Sequence, residues 1–230
     1  MKRLLYLFII AGLLAGCHRT DPRNPHNLPI ANTIEIYQAQ VAENPDTELV
    51  DLQEMIPGID LFIPYATSQN FTGVPIYTSA KAFLCKPVAE ALAAAQDSLM
   101  KIGLGFRILD AYRPYAGTLY FYKVYPDTTF VANPAKGSIH NRGAAVDLTL
   151  IRLDTGEPLT MPTAFDSFSD TASHLFMDLP PEVLENRALL RNIMETYGFS
   201  IYEPEWWHYN FRNARSYPLR DVSFEELMNL

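Results

Sequence analysis

The heptapeptide Ala-Ala-Val-Asp-Leu-Thr-Leu at 144–150 constrains the fold more than any other stretch of the chain. Val146, Leu148 and Leu150 alternate with Asp147 and Thr149, and a period of two sends the two sets to opposite faces of a β-strand. The apolar face of such a strand needs a cover, and the flanking sequence supplies helices. Pro87 suits the first turn of one of them. Val88, Leu92, Ala95, Leu99 and Ile102 then recur at helical spacing as a single apolar stripe, which Gly103 and Gly105 end. Residues 116–125 read as a second helix, rich in aromatics. Residues 181–197 read as an amphipathic helix that starts with Pro181 and Glu182 and stops at Gly198, and 223–229 as a closing helix. GFRILDAYRP reads as a short strand running into a loop, and FSIYEP and WWHYNF as two more strands. Helices and strands mix without a βαβ rhythm. The expected architecture is α+β: one domain with a small, mostly antiparallel sheet packed against helices.

The first residues obey different rules. Residues 1–16 combine Lys2 and Arg3, an apolar run from Leu4 to Leu14, and small residues. This is the layout of a secretory signal, too short for a comfortable membrane span. Leu14-Ala15-Gly16-Cys17 resembles the bacterial lipobox, which implies that Cys17 is lipidated and becomes the new N-terminus. Residues 17–45, with Pro22, Pro25, Pro29 and Pro45 among polar residues, read as a tether with little structure, and 46–230 as the folded domain. Loss of Lys2 and Arg3 makes the processed chain two units more negative than the formal −8 of the whole sequence. That balance argues against nucleic acid as a partner. The chain has two cysteines, too few for a disulfide framework or a cysteine-rich zinc finger. With Cys17 lipidated, Cys85 among Phe83, Leu84 and Pro87 reads as a buried bystander.

Five histidines remain to carry chemistry. His18 and His26 fall in the tether, and His174 reads as structural. His140 and His208 each stand in a dense polar setting beside an expected strand. A catalytic zinc takes three protein ligands from histidine and carboxylate, with a fourth position left to water. His140, Asp147 and His208 supply such a set, with Gly143 allowing a close turn between the first two. Glu205, three residues before His208, can serve as the base for that water, and Arg113 as the cation for developing negative charge. One geometric condition attaches. Residues three apart on a regular strand face opposite ways, so Glu205 and His208 share a site only if the backbone bends between them.

Ser138 to Asp147 fits S-x-H-x-x-G-x-A-x-D, and Glu205 to His208 fits E-x-W-H. With Tyr65-Ala66-Thr67, Asn70-Phe71-Thr72-Gly73, Asp110-Ala111-Tyr112-Arg113-Pro114, Phe165-Asp166 and Trp206-Trp207, these motifs resemble the zinc D-alanyl-D-alanine dipeptidases. That family includes the vancomycin-resistance dipeptidase and shares its fold with the Hedgehog signalling domain. The resemblance runs from about Asp51 to the C-terminus. It implies one Zn2+ per chain on His140, Asp147 and His208, Glu205 as catalytic base, and Arg113 stabilising the oxyanion. It further implies that Ser138 and Tyr65 line the substrate pocket and that Asp166 meets the ammonium of the dipeptide. Asp110 is expected to orient the Arg113 guanidinium, and Trp206 and Trp207 to wall the site against water. Ala164 stands where an acid precedes the Phe-Asp pair in some members.

The expected substrate is a D-amino-acid dipeptide, cut by an extracytoplasmic enzyme held to the bacterial membrane by its N-terminal lipid, at the periplasmic face or the cell surface. The alternatives are a D,D-carboxypeptidase or peptidoglycan endopeptidase of the same superfamily, and a non-catalytic zinc-stabilised binding module.

Overall fold

The computed structural model describes residues 21–230. The signal segment and Cys17 lie outside them. Nine strands and six α-helices follow one another as β1 (Ile30–Ala31), α1 (Ile34–Glu43), β2 (Leu49–Asp51), α2 (Leu52–Met55), β3 (Asp60–Leu61), β4 (Phe83–Cys85), α3 (Lys86–Met100), β5 (Leu104–Asp110), α4 (Tyr115–Val124), β6 (Ala145–Arg152), α5 (Pro181–Thr196), β7 (Phe199–Tyr202), β8 (Glu205–Phe211), β9 (Leu219–Arg220) and α6 (Phe224–Met228) among the described residues. The main sheet has five strands in the order β3-β5-β6-β8-β7. Only the β3–β5 pair is parallel, so the sheet is mostly antiparallel as expected.

The Ala144–Leu150 stretch forms the central strand, β6, but its polar side is not solvated. Every residue of β6 from Ala145 to Ile151 is buried, Asp147 and Thr149 included. The period of two therefore separates an apolar core face from a second, polar interior. Helix α3 buries Val88, Leu92, Ala95 and Leu99 as the stripe requires. It ends at Met100, which leaves Ile102 60% exposed and outside the core, because the chain turns at Gly103 with φ of +75° before the stripe can take another step. Gln96, buried on the same helix, accepts from the Phe106 amide at 2.8 Å and joins α3 to β5.

The expected tether is shorter than 17–45. Ile30 and Ala31 pair in parallel with Leu219 and Arg220 of β9, and residues 34–43 form helix α1, capped by Thr33. Tyr37 is buried; its hydroxyl accepts from the Leu49 amide at 2.8 Å, and its ring lies under the Arg220 guanidinium, 5.5 Å away. Prolines and polar residues mask this element in the sequence because its partner lies at the opposite end of the chain. Cys85 is buried and free, as expected.

Two irregularities in the sheet position the site. Between β5 and β6 the register advances by one residue, since Ile108 pairs with Leu148 but Asp110 with Asp147, and Leu109 is the extra residue. Between β7 and β8 the break is larger. Ile201 faces Tyr209, whereas the next residue, Tyr202, faces Glu205, so Trp206, Trp207 and His208 have no partner on β7. His208 pairs instead with Asp147 of β6.

Candidate active site

The bend at 206–208 meets the condition that the Glu205–His208 spacing imposes. Glu205 Oε2 lies 3.9 Å from His208 Nδ1, and both residues line one cavity of about 380 Å³. His140 reaches the same point from the single 3-10 turn His140–Arg142 that leads into β6. That turn closes at Gly143 with φ of +64°. A Cβ added there would sit 2.4 Å from Leu49 Cδ2 and 3.3 Å from the Cys85 amide nitrogen, so both conformation and space demand glycine.

His140 Nε2, His208 Nδ1 and Asp147 Oδ1 converge. The two ring nitrogens are 3.1 Å apart, and Asp147 Oδ1 lies 2.9 Å from His208 Nδ1 and 3.4 Å from His140 Nε2. The outer ring nitrogens fix the tautomers. His140 Nδ1 donates to the Ala111 carbonyl at 2.7 Å and His208 Nε2 to Asn210 Oδ1 at 3.0 Å. The other two ring nitrogens point inward, beside a carboxylate oxygen. Two ring nitrogens and a carboxylate oxygen facing one another can hold a cation, and these atoms all lie within 4.8 Å of one another. The donor set of two imidazoles and a carboxylate suits a divalent metal with an open position.

Arg113 sits in the loop after β5, buried, with Nε 3.1 Å and Nη2 2.6 Å from Asp110 Oδ2. The same carboxylate accepts from the Tyr77 hydroxyl at 2.8 Å and the Ala111 amide at 2.9 Å. Burial works against the Arg113 charge, but Asp110 outweighs it and holds the guanidinium well above its usual value. The guanidinium also lies over the Phe121 ring, 4.5 Å from its centre. Gly117 makes room for it, because a Cβ there would come within 3.0 Å of Arg113 Cγ. Asp110, expected to orient this guanidinium, thus holds it in direct contact.

Tyr65 and Ser138 line the cavity, as does Asp166. The Tyr65 hydroxyl donates to both Asp166 carboxylate oxygens at 2.9 Å. Asp166 adopts φ of +58°, an uncommon conformation for a side-chain-bearing residue, which aims its carboxylate into the cavity. Burial and the nearby Asp147 push Asp166 up to about 8. Burial, with Asp147 and Asp166 close by, also raises Glu205 well above the usual carboxylate range. Ala164 is exposed, so the missing acid leaves no gap in the cavity.

One expectation changes. Trp207 walls the cavity and packs edge-on against Phe165, but Trp206 does not line it. Strand alternation turns Trp206 the other way, where its Nε1 donates to Thr163 Oγ1 at 3.0 Å. Glu203, the other carboxylate near His208 in the sequence, lies outside the cavity and accepts from the Ser173 hydroxyl at 3.0 Å. His174 is no ligand. It packs on Tyr209, and burial together with Arg187 brings it down to about 4. Two asparagines escaped notice in the sequence. Asn210 is two residues beyond His208 on the same strand face, a spacing that could have revealed it. Asn141, fully buried, accepts from the Ser138 amide and donates to the Arg113 carbonyl and the Thr118 hydroxyl, tying the histidine turn to the arginine loop. No periodicity marks it.

A cation site of two histidines and an aspartate, with a buried carboxyl and a clamped guanidinium in the same cavity, defines a metal-dependent hydrolase centre. Residues 45–226 match the Peptidase M15 family model, described as D-ala-D-ala dipeptidase. The chain is 38% identical over 173 residues to the D-alanyl-D-alanine dipeptidase of Escherichia coli K12, covering 75% of this chain and 89% of that protein. It is 36% identical over 178 residues to the enzyme of the same name from Enterococcus faecalis V583, covering 69% and 88%. A solved structure of a vancomycin-resistance D,D-pentapeptidase, VanY, in complex with Zn(II) is similar at 17% identity and a TM-score of 0.37, covering 74% of this chain and 89% of that one. The chain belongs to the D-Ala-D-Ala dipeptidase family, and is a metallopeptidase.

Proposed function

We propose that this chain hydrolyses D-alanyl-D-alanine and related D-amino-acid dipeptides, with zinc held by His140, Asp147 and His208 and Glu205 as general base. The observation that carries this reading is the convergence of two ring nitrogens and a carboxylate oxygen beside a buried glutamate in a cavity that also holds Arg113. When bound, zinc supplies a Lewis acid for the scissile carbonyl and brings the pKa of a bound water towards about 7. Glu205 takes the proton of the attacking water on its carboxylate and returns it to the departing amine nitrogen. Burial and the neighbouring Asp147 and Asp166 favour the protonated form it holds between the two transfers. Arg113, fixed by Asp110, faces the oxygen on which negative charge develops. Tyr65 and Asp166 hold the substrate ammonium, Ser138 borders the same pocket, and Trp207 keeps water from the far wall.

Cys17 carries lipid in this reading and holds the enzyme on the outer side of a bacterial membrane, beside peptidoglycan and its breakdown products. Turnover or salvage of D-amino-acid dipeptides fits that place better than clearing a cytoplasmic precursor. The deciding assay compares D-Ala-D-Ala with N-acetylated and longer peptides, before and after chelation and zinc addition. Cleavage of the free dipeptide that stops with chelator and returns with zinc is expected. Preference for blocked or longer peptides would instead indicate a carboxypeptidase or endopeptidase, and no hydrolysis of any of them a binding module. Membrane fractionation of the full chain beside Cys17→Ser tests the anchor.

A further inference from the structure

We propose that Lys136 and Arg215 receive the free carboxylate of the substrate, so that the cavity reads both ends of a dipeptide; this rests on the dipeptide reading above. Three permanently charged cations line the cavity: Arg113, Lys136 and Arg215. Arg113 is committed to Asp110. Neither Lys136 nor Arg215 has a carboxylate within 4.0 Å among the described residues. What sets these two apart is their place on the cavity lining, where a charge with no acidic partner is free to meet an anionic ligand.

Their backbones, by contrast, are held firmly. The Lys136 amide donates to the Asn133 carbonyl at 3.0 Å, and Asn133 Oδ1 accepts from the Ala135 amide at 2.9 Å. The next residue, Gly137, has φ of +69° and lies so close to β9 that an added Cβ would be 2.5 Å from Leu219 Cδ2. Ser138, on the cavity wall, follows directly. Arg215 sits in the 3-10 turn Ala214–Ser216, where Arg142 Nη1 donates to the Arg215 carbonyl at 3.2 Å and also to that of Tyr217. Arg142 belongs to the same turn as His140. Each unpartnered cation is thus carried on backbone fixed relative to the metal-ligand cluster, and both side chains stay exposed and able to move onto a ligand.

The acids of the cavity are Asp147, Asp166 and Glu205. Asp147 belongs to the metal set and Glu205 to the proton transfer, which leaves Asp166 as the carboxyl group that meets an ammonium, whose positive charge favours its ionised form. A zwitterion placed with its ammonium on Asp166 needs a cation for its other end, and Lys136 and Arg215 are the ones not already spent. An extended dipeptide measures about 7 Å, and a cavity of about 380 Å³ lies near the small end of ligand pockets. Charge at both ends selects for length: an added residue moves one terminus off its counter-charge.

The test is kinetic, on zinc-loaded full-length protein. The quantity is the ratio of kcat/KM for D-Ala-D-Ala to that for D-alanyl-D-alaninamide, which differs only in lacking the carboxylate charge. Wild type, Lys136→Met, Arg215→Gln and the double variant are compared, with Lys123→Met, exposed and outside the cavity, as control. The acid-over-amide ratio is expected to fall roughly tenfold in the double variant, the scale of a lost charge-assisted hydrogen bond, and to fall through KM. The control should keep the wild-type ratio. An acid-over-amide ratio equal to wild type in the double variant overturns the assignment while leaving the dipeptidase reading intact. Wild type that cleaves neither substrate overturns both.

Discussion

Replacing Asp110 by asparagine keeps the side chain's shape and removes its charge. Asp110 and Arg113 expose only 1% and 9% of their side chains, so little water can replace the lost carboxylate. Tyr77 and the Ala111 amide keep a polar partner, and the penalty falls on the guanidinium, left charged in a buried site. Removing one member of a buried pair costs about 3–5 kcal/mol. In a domain of this size 1 kcal/mol moves the midpoint by about 2–4 °C, so the loss should be roughly 6–20 °C. Thermal unfolding of the chelated protein reads this without a contribution from metal binding. The double variant Asp110→Asn/Arg113→Met should recover most of the loss, because it no longer strands a charge. A single variant melting within about 2 °C of wild type, or a double variant no better than the single, would refute the claim that Arg113 depends on Asp110.

Other substitutions separate the roles within the site. Arg113→Ala should lower kcat by about 10²–10³-fold while zinc stoichiometry, read by elemental analysis, stays at the wild-type value; unchanged turnover would remove Arg113 from the reaction. His208→Ala should abolish stoichiometric zinc, and retention of one equivalent would sink its assignment as a ligand. Stability should also depend on pH. Asp166, pushed up to about 8, keeps a proton in the folded chain that the unfolded chain loses near pH 4. Between those values the unfolded state binds fewer protons, so stability of the metal-free protein should fall as pH rises through this window. Asp166→Asn should flatten that slope in denaturant titrations, and a slope as steep as wild type would contradict the raised value.

How much of this was legible in the sequence depended on where each residue's partners lie. The Val88–Leu99 stripe and the Val146–Leu150 alternation are local patterns set by backbone period, and both elements form where those patterns fall. His140, Asp147 and Glu205–His208 were recognisable as residue types at motif spacing. Their convergence depends on the β8 bend, created by pairing with β6 on one side and β7 on the other. The helix at 34–43 was missed for a related reason. Its buried Tyr37 meets Leu49 and Arg220, and β1 finds its strand partner in β9. Asn141 shows a third limit: a fully buried amide carries no periodic signature, and only its three partners reveal its work.

The unpaired segment of β8 also bears on how the enzyme can fail. Glu205 precedes it and His208 closes it, so in the proposed reaction proton acceptor and metal ligand ride on one short piece of backbone. A motion that lifts the hairpin removes both together. The centre is thus kept or lost as a unit, and substitutions that only loosen the hairpin lower the fraction of competent molecules. They scale kcat by that fraction and leave the reaction in the remaining molecules as it was.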